Sequence, residues 1–169
     1  NGVQADISLR GSTFEQVLIL VNGIRMNDSQ TGHNSMSIPF DLASVEKIEI
    51  VKGPAARRFG QNAYAGVVNI ITKPSSEKNV IISGSGGDFE TYSLGIGANF
   101  GTEKFSNFIQ ANSSSSEGYR YNTDYKNNNV FYQNQYQISN GSLKFQAGIQ
   151  EKKFGANGFF SSPNATEQY

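Results

Sequence analysis

The 169-residue chain has no cysteine. That excludes a disulfide framework, a thiol nucleophile and a thiolate metal site. Histidine is nearly absent too: His33 stands alone in a polar stretch with Asp28 and Gln30 near it. One loop does not bring enough ligands together for a metal ion, so neither a metal nor a cofactor is expected. No Gly-x-Ser-x-Gly elbow occurs, and Gly95-x-Gly97 followed by Gly101 has the wrong spacing for a dinucleotide fingerprint, so no enzyme activity is expected. Charge of one sign is not in excess: 14 basic residues balance 14 acidic ones, which leaves no field to attract nucleic acid. Long apolar runs are also missing. The longest aliphatic run, Val17 to Val21, is far short of the ~18 residues of a membrane-spanning helix, so any membrane crossing must be made of strands.

What is present is organised around Asp41 to Lys73, DLASVEKIEIVKGPAARRFGQNAYAGVVNIITK. Ile48 and Ile50 alternate with Lys47, Glu49 and Lys52, the period of a strand with one buried face. Gly53-Pro54 stops that strand. Pro54 suits the first position of a helix, so Ala55 to Phe59 can turn once before Gly60 ends the turn in a left-handed conformation. Gly66 then releases VVNIIT, a β-branched run with the length of a buried strand. Local physics alone also fits a β-α-β corner of an α/β domain. Upstream, Ile7 and Leu9 alternate as a half-buried strand, Gly11 to Gln16 breaks it, and VLILV follows as a strand buried on both faces. Asn22-Gly23 is a two-residue hairpin signal leading into Ile24-Arg25-Met26. Asp28 to Ile38 is a polar loop, and Asp41 can cap one turn over Leu42-Ala43-Ser44.

The string IEIVKGPAARRFGQNAYAGVVNIITK closely resembles the end of the plug domain of TonB-dependent outer-membrane receptors. Its Gly53, Pro54, Gly60, Gly66 and Asn69 stand at the motif's spacing. DISLRG (Asp6 to Gly11) and VLILVNGIRMN (Val17 to Asn27) are similar to earlier plug strands of the same family, in the same order. The resemblance implies an α+β plug segment followed by antiparallel transmembrane β-barrel strands. It implies residues 1–73 as the later part of the plug, 74–78 as a linker and 79–169 as the first barrel strands and loops. Such barrels have about 22 strands of about 9–11 residues, so the chain reads as an internal piece of a larger receptor. It opens at Asn1 without the basic and apolar regions of a signal peptide.

Composition after the linker agrees with that expectation. Tyr92, Leu94, Ile96, Ala98 and Phe100 alternate with Ser93, Gly95, Gly97 and Asn99, a strand of membrane length. Val130, Tyr132, Tyr136 and Ile138 oppose Gln133, Gln135 and Gln137. Leu143, Phe145, Ala147 and Ile149 oppose Lys144, Gln146, Gly148 and Gln150. With Val80 and Ile82 opening a first strand and Phe105 to Ser113 forming a less regular third, five strands are expected between Asn79 and about Lys153. Gly101 to Glu103 and Asn140 to Ser142 are tight turns. Ser114 to Asn129 reads as a long polar loop on the external side. A soluble β-sandwich with one wet face explains the alternation equally well.

Functionally, the resemblance implies an outer-membrane receptor of a Gram-negative bacterium. It would bind a scarce small molecule or metal chelate, such as a ferric siderophore, haem or cobalamin, and import it with energy from TonB. Its partners would be that ligand, TonB and outer-membrane lipid. A glycan importer of the same superfamily is the alternative, although those proteins tend to carry Lys-Asp-Ala where this chain has Lys52-Gly53-Pro54. The apical plug loops would supply Phe14, Gln30, His33, Asn34 and Met36 as ligand contacts. Arg10 and Lys52 occupy positions whose basic residues pair with barrel-wall carboxylates in related receptors. Lys52 departs from the usual Arg and lacks its bidentate fork.

Overall fold

The computed structural model describes residues 5–26, 36–40, 42–53, 58–72, 74 and 77–157. The chain divides into two compact units. One is built from Val3–Ile38 and Val45–Lys73, the other from Pro39–Ser44 and Pro74–Tyr169.

The first unit is a four-stranded sheet of β1 (Val17–Val21), β2 (Ile24–Arg25), β3 (Val45–Lys52) and β4 (Gly66–Thr72), in the order β2-β1-β4-β3. All five residues of β1 are buried, as an unbroken apolar run in a central strand requires. β1 runs parallel to β4, with Val17 opposite Gly66 and Val21 opposite Ile70, whereas β3 is antiparallel to β4. The stretch from Asp41 to Lys73 is therefore an antiparallel pair and not a β-α-β corner. The long crossover needed between parallel strands lies between β1 and β4 instead. Asn22 and Gly23 form the expected two-residue hairpin, with φ of 52° and 83°. Thr72 N–H donates to Asn22 Oδ1 and Asn22 Nδ2 to Thr72 Oγ1, each at 2.9 Å, which fastens the hairpin to the end of β4.

Leu18, Leu20, Ala63 and Val67 form the buried core of this unit, with Val51 and Phe59 packed on it. Burying each large side chain contributes about 1.5–3 kcal/mol. Gly53 and Gly60 take left-handed φ of 72° and 86°, as their positions beside the turn demand. Pro54 and residues 55–57 of the expected helical turn lie outside the described residues, as do Asp41 and its capping role. Leu42–Ser44 does form one 3-10 turn.

Two expectations fail here. Asp6 to Leu9 is not a strand: Ala5–Ser8 has no regular structure, and Leu9 to Ser12 is a turn with Arg10 at φ 54° and Gly11 at 75°. Ser12 N–H donates to Leu9 C=O at 3.1 Å, and Leu9 N–H to Ser12 Oγ at 3.1 Å. These bonds give the backbone local partners in place of a ladder. Ile48 and Ile50 are each 51% exposed, so the face they share is not buried. β3 is an edge strand with one neighbour and an irregular register between Val45 and Lys47, and it meets the core through Val51.

The second unit is an antiparallel five-stranded meander in chain order: β5 (Asn79–Gly87), β6 (Thr91–Gly101), β7 (Phe105–Ser116), β8 (Tyr125–Ile138) and β9 (Gly141–Phe154). Alternation is strict in the middle of β6 and breaks in β7, where Ser106, Asn107 and Phe108 are buried in succession. Leu94, Ile96, Phe145 and Ile149 lie exposed on one face, while Gly95, Gly97, Gln110 and Gln133 are buried on the other. A continuous apolar face across five strands is far larger than the patches a soluble monomer shows. It matches the lipid side of a barrel wall rather than the wet face of a sandwich. Near the short turns, Phe105 meets Tyr136 and Tyr132 meets Phe145 at ring-centroid distances of 6.3 and 6.2 Å, and Lys104 Nζ lies 5.7 Å over Tyr136. Aromatic girdles of this kind mark a membrane interface. No helix among the described residues is long and apolar enough to cross a membrane.

The expected long loop is shorter than its polarity implies. Ser113 to Ser116 pairs with Asn128 to Tyr125, and the connection is only residues 117–124. Ser113 Oγ donates to Asn128 Oδ1 at 2.8 Å. The ladder continues past the apolar band, so these residues are strand without any hydrophobic alternation to announce it.

Candidate functional site

The sequence-predicted residues of the first unit are held by its sheet. Phe14 sits half-buried in the 3-10 turn Phe14–Gln16 that enters β1, and Ala65 N–H donates to Gln16 C=O at 2.9 Å, tying that turn to the entry of β4. Met36 is half-buried; Gln30, His33 and Asn34 lie outside the described residues. Arg10 is exposed in its turn and Lys52 is exposed at the end of β3.

The motif residues have local structural tasks. A Cβ on Gly66 would stand 2.6 Å from Leu9 Cδ1 and 2.8 Å from Val51 C=O, so only glycine lets Leu9 close over the start of β4. Asn69 Oδ1 accepts from Gly23 N–H at 3.0 Å and its Nδ2 donates to Glu49 Oε2 at 3.4 Å. It thereby joins the hairpin to the edge strand. Glu49 also pairs with Lys47 at 2.7 Å. That contact and the Asn69 bond hold the Glu49 carboxyl below its ordinary value, and the same pairing raises Lys47.

A second set of side chains, absent from the sequence-based list, gathers at the end of the second unit that carries the 117–124 connection. Phe89, Tyr119 and Tyr121 are all exposed there. The rings of Phe89 and Tyr119 meet edge-on at 6.4 Å, and the Arg120 guanidinium lies 5.2 Å over Tyr119. The backbone beneath them is fixed. Glu117 N–H donates to Phe89 C=O at 3.0 Å, Thr123 Oγ1 to Arg120 C=O at 2.7 Å, and Arg120 Nη2 to Asn157 C=O at 3.2 Å. Gly118, at φ 80°, leaves no room for a Cβ, which would stand 2.5 Å from Thr123. Exposed aromatics on a rigid loop offer contact area at little entropic cost, and the arginine adds an anion partner. The sequence signal was Gly118-Tyr119-Arg120-Tyr121, an aromatic and cation run inside a polar stretch.

Among the described residues no group of acidic or histidine side chains could hold a metal ion.

Comparison with known proteins gives a consistent answer. The family model for the TonB-dependent Receptor Plug Domain matches residues 1–67. A relative from Vibrio vulnificus named "Vitamin B12 transporter BtuB" is 37% identical over 105 residues, covering 61% of this chain and 16% of that protein. Among solved structures, the ferric yersiniabactin uptake receptor FyuA from Yersinia pestis superposes with a TM-score of 0.72 at 18% identity, covering 92% of this chain and 26% of its own. The siderophore receptor PirA from Acinetobacter baumannii gives 0.65 at 23% identity, covering 86% and 25%. At those identities the structural likeness is one of fold. The chain spans between about a sixth and a quarter of the length of these proteins.

Proposed function

We propose that the chain belongs to the TonB-dependent receptors and that the protein of which it forms part binds a scarce solute at the outer membrane and imports it with energy from TonB. The observation that carries this reading is one chain in which a plug-matching segment leads directly into strands with an apolar outward face. In this reading residues 1–73 are the later plug, 74–78 the linker and 79–169 the first barrel wall. The short turns at 102–104 and 139–140 face the periplasm, and the 117–124 connection faces outside.

The ligand is a cobalamin or a ferric siderophore, in that order of support. The 37% identity to a vitamin B12 transporter favours cobalamin, whereas the siderophore receptors share the fold at lower identity. In the first unit the candidate contacts are Phe14, Gln30, His33, Asn34 and Met36; in the second, taken by itself, the candidates are Phe89, Tyr119, Arg120 and Tyr121. Arg10 and Lys52 are the cations that fasten plug to barrel.

The test is growth and binding. Full-length receptor in a host lacking its own receptors restores growth on cyanocobalamin as the limiting cofactor, and only when TonB is present. Restoration by a catecholate ferric siderophore alone moves the assignment to iron, and growth without TonB overturns it. Tyr119→Ala weakens binding of the solute that restores growth by about 0.5–1.5 kcal/mol, the worth of one aromatic contact, and leaves expression unchanged.

A further inference from the structure

Six residues that the sequence places well inside the plug, Pro39–Ser44, belong structurally to the barrel strands. The chain leaves the first unit after Ile38 and returns to it at Val45. Pro39, Phe40 and Ser44 lie on the polar face of the meander, along a single cross-strand row in which Gly97, Gln110, Phe131 and Gly148 stand opposite one another on β6 to β9.

Three kinds of contact fix them there. The Phe40 ring meets Phe131 at a centroid distance of 4.9 Å, and both side chains are buried, with 5% and 2% of their surface exposed. Pro39 lies directly on Gly148: a Cβ there would come within 2.5 Å of the proline Cγ and 2.8 Å of its Cβ. The Ser44 hydroxyl is hydrogen-bonded to Gln110 Oε1. An aromatic pair, a proline seated on a glycine and a side-chain hydrogen bond act on Phe40, Pro39 and Ser44 within one short stretch. The row itself is adapted to them, with an aromatic residue among inward-facing polar ones and a glycine beside it.

We propose that Pro39–Ser44 is an anchor that stays on the barrel wall when the plug is drawn out, so that a pull from the N-terminal side stops at Pro39. The cation lock expected from Arg10 and Lys52 would hold the plug by charge and yield to salt. The Phe40 anchor is apolar and does not. Tension entering from upstream passes through β1 and β2 before it reaches Phe40, and the anchor shields β3 and the start of the barrel from it. The proposal rests on the receptor reading of the chain but not on the identity of the solute.

It is tested by pulling the full-length receptor, reconstituted in lipid vesicles, from its N-terminus in a single-molecule force measurement. This needs neither solute nor TonB, so failure of the uptake reading and failure of the anchor are separable. The wild type shows a discrete barrier after release of the chain through Ile38, and added salt leaves it in place. Phe40→Ala and Gly148→Val each remove that barrier, so that release runs on through β3 in one step. Ser44→Ala, a milder change, lowers the rupture force, and Gly84→Ala, remote from the anchor, leaves it unchanged. A barrier that persists in Phe40→Ala and Gly148→Val, or one missing from the wild type, overturns the proposal. Heat-modifiable migration on gels verifies that each variant has a folded barrel.

Discussion

Leu18 and Leu94 both lie within strands between hydrogen-bonded neighbours, yet Leu18 is fully buried and Leu94 is 63% exposed. The two units use the same apolar residues under opposite rules. In the first, aliphatic side chains from β1 and β4 close on Ala63, Val51 and Phe59, as in any water-soluble core. In the second, Leu94, Ile96 and Ile149 point out, and Gly95, Gly97, Gln110 and Gln133 at alternate positions are the buried ones. Hydrophobicity alone does not tell these apart; the surrounding solvent does. The first unit withdraws its leucines from water; in the proposed receptor the second leaves them for hydrocarbon.

The largest effect that would break this comparison is in the core. Leu18→Ala destabilises the first unit by about 2–5 kcal/mol, because it removes a fully buried side chain from a packed cluster. Leu94→Ala, in lipid, costs far less. Urea midpoints of the full-length receptor, read by hydrogen exchange on β1 and on β6, measure both. Equal losses would show that the two leucines share one kind of environment.

Next comes charge. Leu94→Arg or Ile96→Arg impairs assembly by about 2–4 kcal/mol at mid-membrane depth, whereas Gln135→Arg, on the opposite face, is tolerated. The fraction of heat-modifiable receptor in isolated membranes gives the comparison, and equal tolerance at the two faces would sink the membrane reading.

How much was legible follows the same division. The five strands of the second unit, the buried β1 and the Asn22-Gly23 hairpin were readable because period and turn chemistry agreed there. Ser114 to Ser116 and Tyr125 to Asn129 were misread as loop, because their ladder lies beyond the apolar band and nothing apolar alternates in them. Asp6 to Leu9 was misread as strand, because Ser12 supplies local hydrogen bonds that a period-two pattern cannot reveal. The rim aromatics were visible as a string, but only the turn at Asp88 to Glu90 brings Phe89 to Tyr119, and that pairing spans 30 positions of sequence. Pro39 and Phe40 carried no signal of docking, since the row that receives them draws one residue from each of four strands.

A smaller effect sharpens the comparison within the first unit. Gly23→Ala forces a Cβ into a left-handed conformation with φ of 83°, at about 1–2 kcal/mol. The space around Gly23 is open, so the cost is backbone strain and not a clash. Hydrogen exchange of β1 and β2 would report it while β5 to β9 stay unchanged.

The smallest effect concerns the exposed edge of the same sheet, where Lys47, Glu49 and Asn69 meet. Glu49 has a lowered pKa in the fold, through its bond to Lys47 first and its bond to Asn69 as a lesser cause. A depressed carboxyl contributes stability above its unfolded value of 4.5, and that contribution is lost as pH falls through the lower folded value. Lys47 is raised, so its contribution is present below 10.5 and is lost as pH rises through the higher folded value. Both side chains are open to solvent, so water and salt screen the pair strongly. Glu49→Gln therefore flattens a shallow acid-side slope in the urea midpoint of the first unit below about pH 4.5, and leaves the midpoint at pH 7 almost unchanged. Raising salt in the wild type reproduces most of the flattening. A large loss at pH 7 would show instead that the Asn69 bond to Glu49, and through Asn69 the hairpin at Gly23, depends on the carboxylate charge.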